Sequence, residues 1–181
     1  MNFDKPAPRR KKTKKITKER LKNIGLYYLE RFETSVQNLR DVLKRRINKY
    51  AFENPDFDKN EAYAWVEEIL GSFENCGYVN DKRYAQMKVK DYLSAGKSVR
   101  YIKAKLFSKG IDENTIETIV ESQDYDAMSA TLRFAAKKHI GPYRTNTNER
   151  DLFKKKDMAC LLRAGFDYDD VCEVLNMKGE Q

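Results

Sequence analysis

The sequence predicts an all-α protein of three tandem three-helix repeats forming an elongated, curved module. Three observations predict it. Apolar residues recur at spacings of three and four almost without pause beyond residue 16, the period of a helix with one face in a core. Helix breakers are scarce: 8 Gly and 4 Pro occur in 181 residues, where average usage gives about 13 and about 9. No window alternates cleanly over six residues between turn signals, so nothing competes for strand.

Taken in order, residues 1–16 read as a disordered basic arm, with Pro6 and Pro8 beside a run of bases and little to bury. Leu21, Ile24, Tyr28 and Phe32 mark the first helical stripe. Thr34-Ser35-Val36-Gln37 has the pattern of a capping box, in which a hydroxyl takes a free backbone N–H and the Gln reaches back. Val36, Leu39, Leu43, Ile47 and Tyr50 follow it, and Asn54-Pro55-Asp56 breaks the helix. Asp58 caps a third helix carrying Ala62, Trp65, Val66, Ile69, Leu70 and Phe73, with Glu61 at its third position and Gly77 at its end.

The plan then recurs. Asn80 or Asp81 starts a helix with Tyr84, Ala85, Val89, Tyr92 and Leu93, closed by Gly96. Ser98 starts one with Val99, Ile102 and Leu106, closed by Gly110, and Asp112 starts one with Ile116, Ile119 and Val120. A third round carries Met128, Leu132, Ala135, Ala136 and His139 before Gly141-Pro142, then Leu152, Met158, Ala159 and Leu162 before Gly165, then Val171, Val174 and Leu175 after Asp167. Gly110-Ile111-Asp112 and Gly165-Phe166-Asp167 precede apolar residues at matching offsets, the mark of an internal repeat. The repeats are placed at residues 17–77, 78–122 and 123–181, each too small for more than a marginal core alone.

Charge is distributed unevenly. The formal charge is +8, and residues 1–22, with ten basic and two acidic side chains, hold all of it. Beyond them charge segregates by helix: +4 over residues 34–52, −7 over 53–81, +8 over 82–110, −6 over 111–132, +2 over 149–166 and −4 over 167–181. If the basic helices share one side of a stack, they form a stripe that attracts a polyanion. Arg9, Arg10, Lys11, Lys12, Lys14 and Lys15 of the arm, with Arg45, Arg46, Lys82, Arg83, Lys88, Arg100, Lys103 and Lys109 of the helices, are the candidate contacts to nucleic-acid phosphates or to an acidic partner surface. Tyr84 and Tyr92 are expected in the core and Tyr101 at the surface. No zinc finger, basic zipper or RNP motif is present, so sequence-specific reading is not expected.

Other classes find little support. No run approaches the roughly 18 apolar residues of a membrane span. Cys76, Cys160 and Cys172 are odd in number, lie in no CxxC, and share the chain with a single His, which argues for free thiols in a reducing cytoplasm and against a zinc site. His139 is expected to be partly buried on an apolar face. The pairs Asp56/Asp58 and Asp124/Asp126 and the trio Asp167/Asp169/Asp170 could serve a metal-dependent nuclease, but each lies at a helix start, where carboxylates cap free N–H groups. No P-loop, GxSxG or GxGxxG occurs. The expectation is a cytoplasmic binding protein without catalysis, cofactor, small-molecule substrate or membrane contact.

The repeat joints carry a family likeness. Asn75-Cys76-Gly77-Tyr78-Val79-Asn80-Asp81-Lys82-Arg83-Tyr84-Ala85 resembles the GYLDD-x-R-F-A signature of the RecX family of RecA regulators. Ile102 through Ile111 resembles its I-x-x-E-L-x-x-K-G-I segment, Ser35 through Leu43 its S-x-x-E-L-x-x-K-L, and Leu161 through Phe166 its L-x-x-R-G-[FY]. The likeness spans residues 27–175. It departs where Ser98-Val99 replaces Gly-Pro, where Asn38 and Lys105 replace Glu, and where Asn80-Asp81 replaces the Asp pair. The basic arm is outside the common pattern. The resemblance implies a non-enzymatic inhibitor that lies along the RecA filament on single-stranded DNA, impedes its growth, and depresses ATP hydrolysis and strand exchange in recombination and repair. Duplex DNA is the weaker expectation. The alternative is a RecA-independent, sequence-nonspecific nucleic-acid-binding helical repeat protein led by its arm.

Overall fold

Short polar side chains set where the helices begin, and residues in the left-handed region set where many of them stop. The computed structural model describes residues 14–177. Among them are nine α-helices, two short 3₁₀ turns (Gly141–Tyr143 and Thr147–Glu149) and no strand. The helices are α1 (Lys18–Leu29), α2 (Val36–Glu53), α3 (Lys59–Asn75), α4 (Asp81–Ser94), α5 (Val99–Phe107), α6 (Glu113–Glu121), α7 (Ala127–Lys138), α8 (Arg150–Arg163) and α9 (Tyr168–Asn176).

Caps fall where the sequence placed them at the starts of α3 to α6, whereas Asp167, before α9, makes no side-chain cap bond. Asp58 accepts from the Asn60 N–H at 2.8 Å, Asn80 from Arg83 at 2.8 Å, Ser98 from Tyr101 at 3.2 Å and Asp112 from Thr115 at 2.8 Å. The capping box before α2 is not formed as expected. Ser35 accepts from the Asn38 N–H at 3.2 Å, one position later than the Thr34–Gln37 register. Gln37 instead donates to Asp41 and accepts from Arg40, while the Asn38 amide donates back to Thr34 at 2.8 Å.

Helix ends repeat one device. The N–H of Tyr78, Lys97, Ile111 and Phe166 each donates five residues back, to Phe73, Tyr92, Leu106 and Leu161, past a glycine with positive φ. Ile140 does the same to Ala135, but the left-handed residue there is His139, with φ 52°. His139 is therefore exposed rather than packed on the α7 face: the helix has ended at Lys138 and the turn swings the ring away.

The chain divides after Val79 into two compact units. In the first, α1, α2 and α3 pack around Leu21, Leu39, Leu43, Ile47, Val66, Leu70 and Phe73. Gly25 lets α1 approach α3 closely, since a Cβ there would sit 2.7 Å from the Phe73 ring. Ile16, assigned to the arm by sequence, is buried in this core, whereas Phe32 lies past the end of α1 and is exposed. Arg9, Arg10, Lys11 and Lys12 lie outside the described residues.

The second unit contains two clusters. One, from α4, α5 and α6, centres on Ala85, Val89, Ile102, Leu106, Ile111 and Ile116. The other, from α7, α8 and α9, centres on Ala130, Ala135, Leu161, Val171 and Val174. Its α8 departs from the expected stripe. Leu152 is 77% exposed and Ala159 is exposed, while the buried positions are Leu161 and, four residues earlier, Asp157. The Asp157 carboxylate takes two hydrogen bonds from the Arg144 guanidinium, at 2.7 and 2.8 Å, and one from the Gly141 N–H at 2.9 Å. An inward charge at that position removes the apolar period that sequence reading relies on.

Candidate nucleic-acid interface

Basic and acidic helices are partners inside the first two bundles, so part of the segregated charge is spent there. Basic α2 packs on acidic α3, where Arg40 and Lys44 both meet Glu67, at 3.0 and 3.4 Å. Basic α5 packs on acidic α6, where Lys103 meets Glu117 at 2.6 Å. The hydrogen bond that Lys103 donates to Glu117 raises the Lys103 pKa above its ordinary value. Lys88 is likewise held by Asp91 at 3.1 Å, and that bond raises its pKa. Lys103 and Lys88 are thus already partnered. Pairs this exposed contribute little to stability, but each lowers the charge offered outward.

The remaining candidates are scattered over several helices. Lys82 and Arg83 are exposed in the first turn of α4, and Lys109 is half-buried after α5. Arg45 is exposed on α2 and its Nε donates to the Asp41 carbonyl at 3.2 Å. Lys14 and Arg46 line a cleft of the first unit.

Arg100 stands apart, because the fold builds a place for it. Ser98 caps α5, and its hydroxyl also donates to the Ala164 carbonyl at 2.7 Å, joining the second cluster of helices to the third. Gly165 follows with φ 91°, and a Cβ on it would lie 2.7 Å from Ser98 Oγ and 3.1 Å from Arg100 Cβ. The bare glycine backbone lets the Arg100 stem lie against the joint. Arg100 is exposed there and forms no ion pair among the described residues. A cleft of about 370 Å³ beside it is lined by Arg100, Tyr101 and Arg163, without an acid.

Sequence reasoning missed three cations at this joint. Arg163 is exposed at the end of α8. Lys97 and Lys105 lie 4.9 and 5.7 Å from the Tyr101 ring centre. Tyr101 is accordingly half-buried rather than exposed, packed edge-on to Tyr92 at 5.6 Å with lysines about it. Tyr84 is buried as expected. Of the missed lysines, Lys105 carried the right signal, a base four residues from an aromatic on one helix, whereas Lys97 lies before α5 begins.

A second cleft at the same joint has mixed charge, with Arg100 and Lys103 facing Asp167 and Asp170. Burial and the carboxylates of Asp167, Asp169 and Asp126 push the Asp170 pKa up. Among the described residues no three His, Cys, Asp or Glu side chains are grouped to hold a metal ion. No helix among them is long and apolar enough to cross a membrane.

Known proteins share this arrangement. Residues 80–119 match the family model described as RecX, second three-helix domain. The chain is 32% identical over 168 residues to the Regulatory protein RecX of Myxococcus xanthus, an alignment covering 92% of this chain and 89% of the relative. It is 27% identical over 160 residues to the Regulatory protein RecX of Agrobacterium fabrum, covering 88% and 84%. The crystal structure of RecX from Lactobacillus salivarius shares the fold, with a TM-score of 0.57 at 22% identity over 87% of this chain and 94% of that one.

Proposed function

The chain belongs to the RecX family of regulatory proteins, which are not enzymes, and we propose on that footing that it inhibits RecA by binding its filament on single-stranded DNA. In this reading it acts in the cytoplasm as three tandem three-helix repeats, modulating recombination and repair. The observation that supports it is the joint carrying Arg100: an exposed, unpaired guanidinium on a built backbone support, with Arg163 lining the same cleft and Lys97 and Lys105 about the neighbouring Tyr101. Cations held in place meet phosphates with less loss of side-chain freedom than cations on a loose arm. Arg9 to Lys15, Arg45, Arg46, Lys82, Arg83 and Lys109 would add sequence-independent contacts, and Lys88 and Lys103 would do so only by leaving their carboxylates.

The test is inhibition of RecA ATP hydrolysis on single-stranded DNA. Reversing Arg100 and Lys105 to Glu should weaken inhibition by tenfold or more, the neutral Arg100→Gln/Lys105→Gln should weaken it with the melting temperature unchanged, and undiminished inhibition would remove the joint from the site. Lys103 is a poor choice for reversal, because a glutamate there would face Glu117. The arm-led alternative rests on the net +8 of residues 1–22. It is separated by truncation, which must stop before Ile16 to spare the core. A RecA regulator keeps most of its inhibition without residues 1–13, whereas an arm-led binder loses most of its affinity and salt dependence.

A further inference from the structure

We propose that the cleft between α1 and α2 in the first unit is a second strand-binding site, taking a short stretch of single-stranded nucleic acid by its phosphodiesters. The proposal rests on the reading that the protein meets a strand, and adds a place and residues for it. The cleft has a volume of about 640 Å³, within the usual range for a site that encloses a small ligand. Lys14, Arg20, Arg46 and Lys49 converge on it from the segment before α1 and from both helices, and no acid lines it. Ile16, Ile24, Tyr27 and Tyr50 supply the apolar walls.

The contrast with neighbouring cations is what marks these four. Lys18, Arg40 and Lys44 of the same unit each hold a carboxylate, Lys18 on Glu68 and the other two on Glu67. The four cleft cations form no ion pair among the described residues. Arg20 adds a further sign: its Nε is buried and finds no hydrogen-bond acceptor among them. A buried guanidinium N–H without an acceptor is uncommon and asks for one. That N–H is closed to solvent, so a phosphate accepts from it only when the Arg20 guanidinium turns outward, toward the cleft that Lys14, Arg46 and Lys49 also line.

The geometry favours a strand over a free nucleotide. None of the described lining residues is glycine, so the cleft lacks the loop of backbone N–H groups that cradles a free polyphosphate. Its cations come from separate helices, as suits charges strung along a backbone. At the mouth, Tyr27 is 57% exposed, with the Arg31 guanidinium 3.7 Å over one face of its ring, offering a surface on which an unstacked base can lie. Lys14 belongs in sequence to the basic run from Arg9 to Lys15.

The experiment is fluorescence anisotropy of the full chain with a labelled oligothymidylate at rising salt. It compares wild type with Arg46→Glu/Lys49→Glu and with Arg100→Glu/Lys105→Glu. Arg46 and Lys49 are exposed, so that double variant should melt as wild type does; Arg20→Gln gives a second, independent probe. The expected result is a loss of about tenfold in affinity and a salt slope shallower by about 1.4, at roughly 0.7 for each phosphate contact removed. Unchanged affinity and slope in Arg46→Glu/Lys49→Glu, with weakening in Arg100→Glu/Lys105→Glu, overturns the cleft and leaves the strand-binding reading standing. Failure of wild type to bind the oligonucleotide overturns that reading itself. Displacement of the strand by millimolar thymidine monophosphate or inorganic phosphate overturns the proposal in favour of a free phosphate ligand. Intact strand binding with lost RecA inhibition overturns it in favour of a protein surface.

Discussion

In the first unit, Leu39, Leu43, Ile47, Val66, Leu70 and Phe73 fill the centre, and every one is apolar; in the third helical cluster, the corresponding depth on α8 is occupied by Asp157. Both cores enclose three helices. The first unit achieves this by hydrophobic burial, which is tolerant of direction and worth about 25 cal/mol per Å². The third relies partly on a directional ion pair whose parts are worth little unless all are present. Asp157 is 2% exposed, its partner Arg144 18%, and the Gly141 N–H completes the set. A core with an apolar centre should yield gradually to substitution, and one with a buried charge should fail when a single partner is lost.

The largest expected effect follows from that difference. Asp157→Ala strands the Arg144 guanidinium and the Gly141 N–H, and breaking a buried pair from one side costs about 3–5 kcal/mol. Thermal unfolding should show the loss, and amide exchange should place it in α7, α8 and α9 rather than in α1 to α3. The pair is also pH-dependent in a known direction. Burial alone would raise the Asp157 pKa, but the hydrogen bonds from Arg144 and Gly141 outweigh it and hold the carboxyl below its ordinary value. A depressed carboxylate stabilises the fold above its unfolded pKa of about 3.9, and that contribution is lost as pH falls through the lower native value. Amide protection in α7 to α9 should therefore fall below about pH 4, and Asp157→Ala should flatten that dependence.

The same contrast explains what the sequence revealed. In α2, α3, α5 and α6 the buried residues are the apolar ones at helical spacing, so caps, period and core were legible together. In α8 the period was carried by Arg150, Lys154, Asp157 and Leu161, and a hydropathy pattern cannot distinguish an inward Asp from an outward one. Leu152, the strongest apolar residue of that helix's start, is exposed. The candidate interface was half legible for a related reason. Charge counts along the chain identified Arg100, but could not tell that Lys103 would be turned onto Glu117, or that Lys97 and Lys105 would gather on Tyr101. Those outcomes depend on which helix packs beside which.

Two glycines sharpen the comparison at intermediate cost. Gly77, with φ 70°, has nothing within 4 Å of where a Cβ would be, whereas Gly165, with φ 91°, has Ser98 Oγ at 2.7 Å. Gly77→Ala in the first unit should cost about 1 kcal/mol, the backbone strain alone. Gly165→Ala adds displacement of the Ser98 hydroxyl, and so of its bond to Ala164, for about 2–3 kcal/mol in all. Differential scanning calorimetry separates the two. The same displacement moves the Arg100 stem, so under the proposed function Gly165→Ala should also weaken inhibition of RecA, while Gly77→Ala should not.

The smallest effect has the opposite sign. Glycine holds the left-handed position after α3, α4, α5 and α8, but His139 holds it after α7, and a side chain at φ 52° carries a strain of about 1–2 kcal/mol. Nothing in the described structure uses the ring, which is exposed and beyond the helix face. His139→Gly removes the strain and adds backbone freedom to the unfolded chain, which offsets about half of the gain. The net should be a stabilisation of about 0.5–1 kcal/mol, read as a rise of about 1–4 °C in melting temperature. If the variant instead melts lower, the His139 side chain makes a contact that holds α7 in place, and the third cluster depends on a second polar residue besides Asp157.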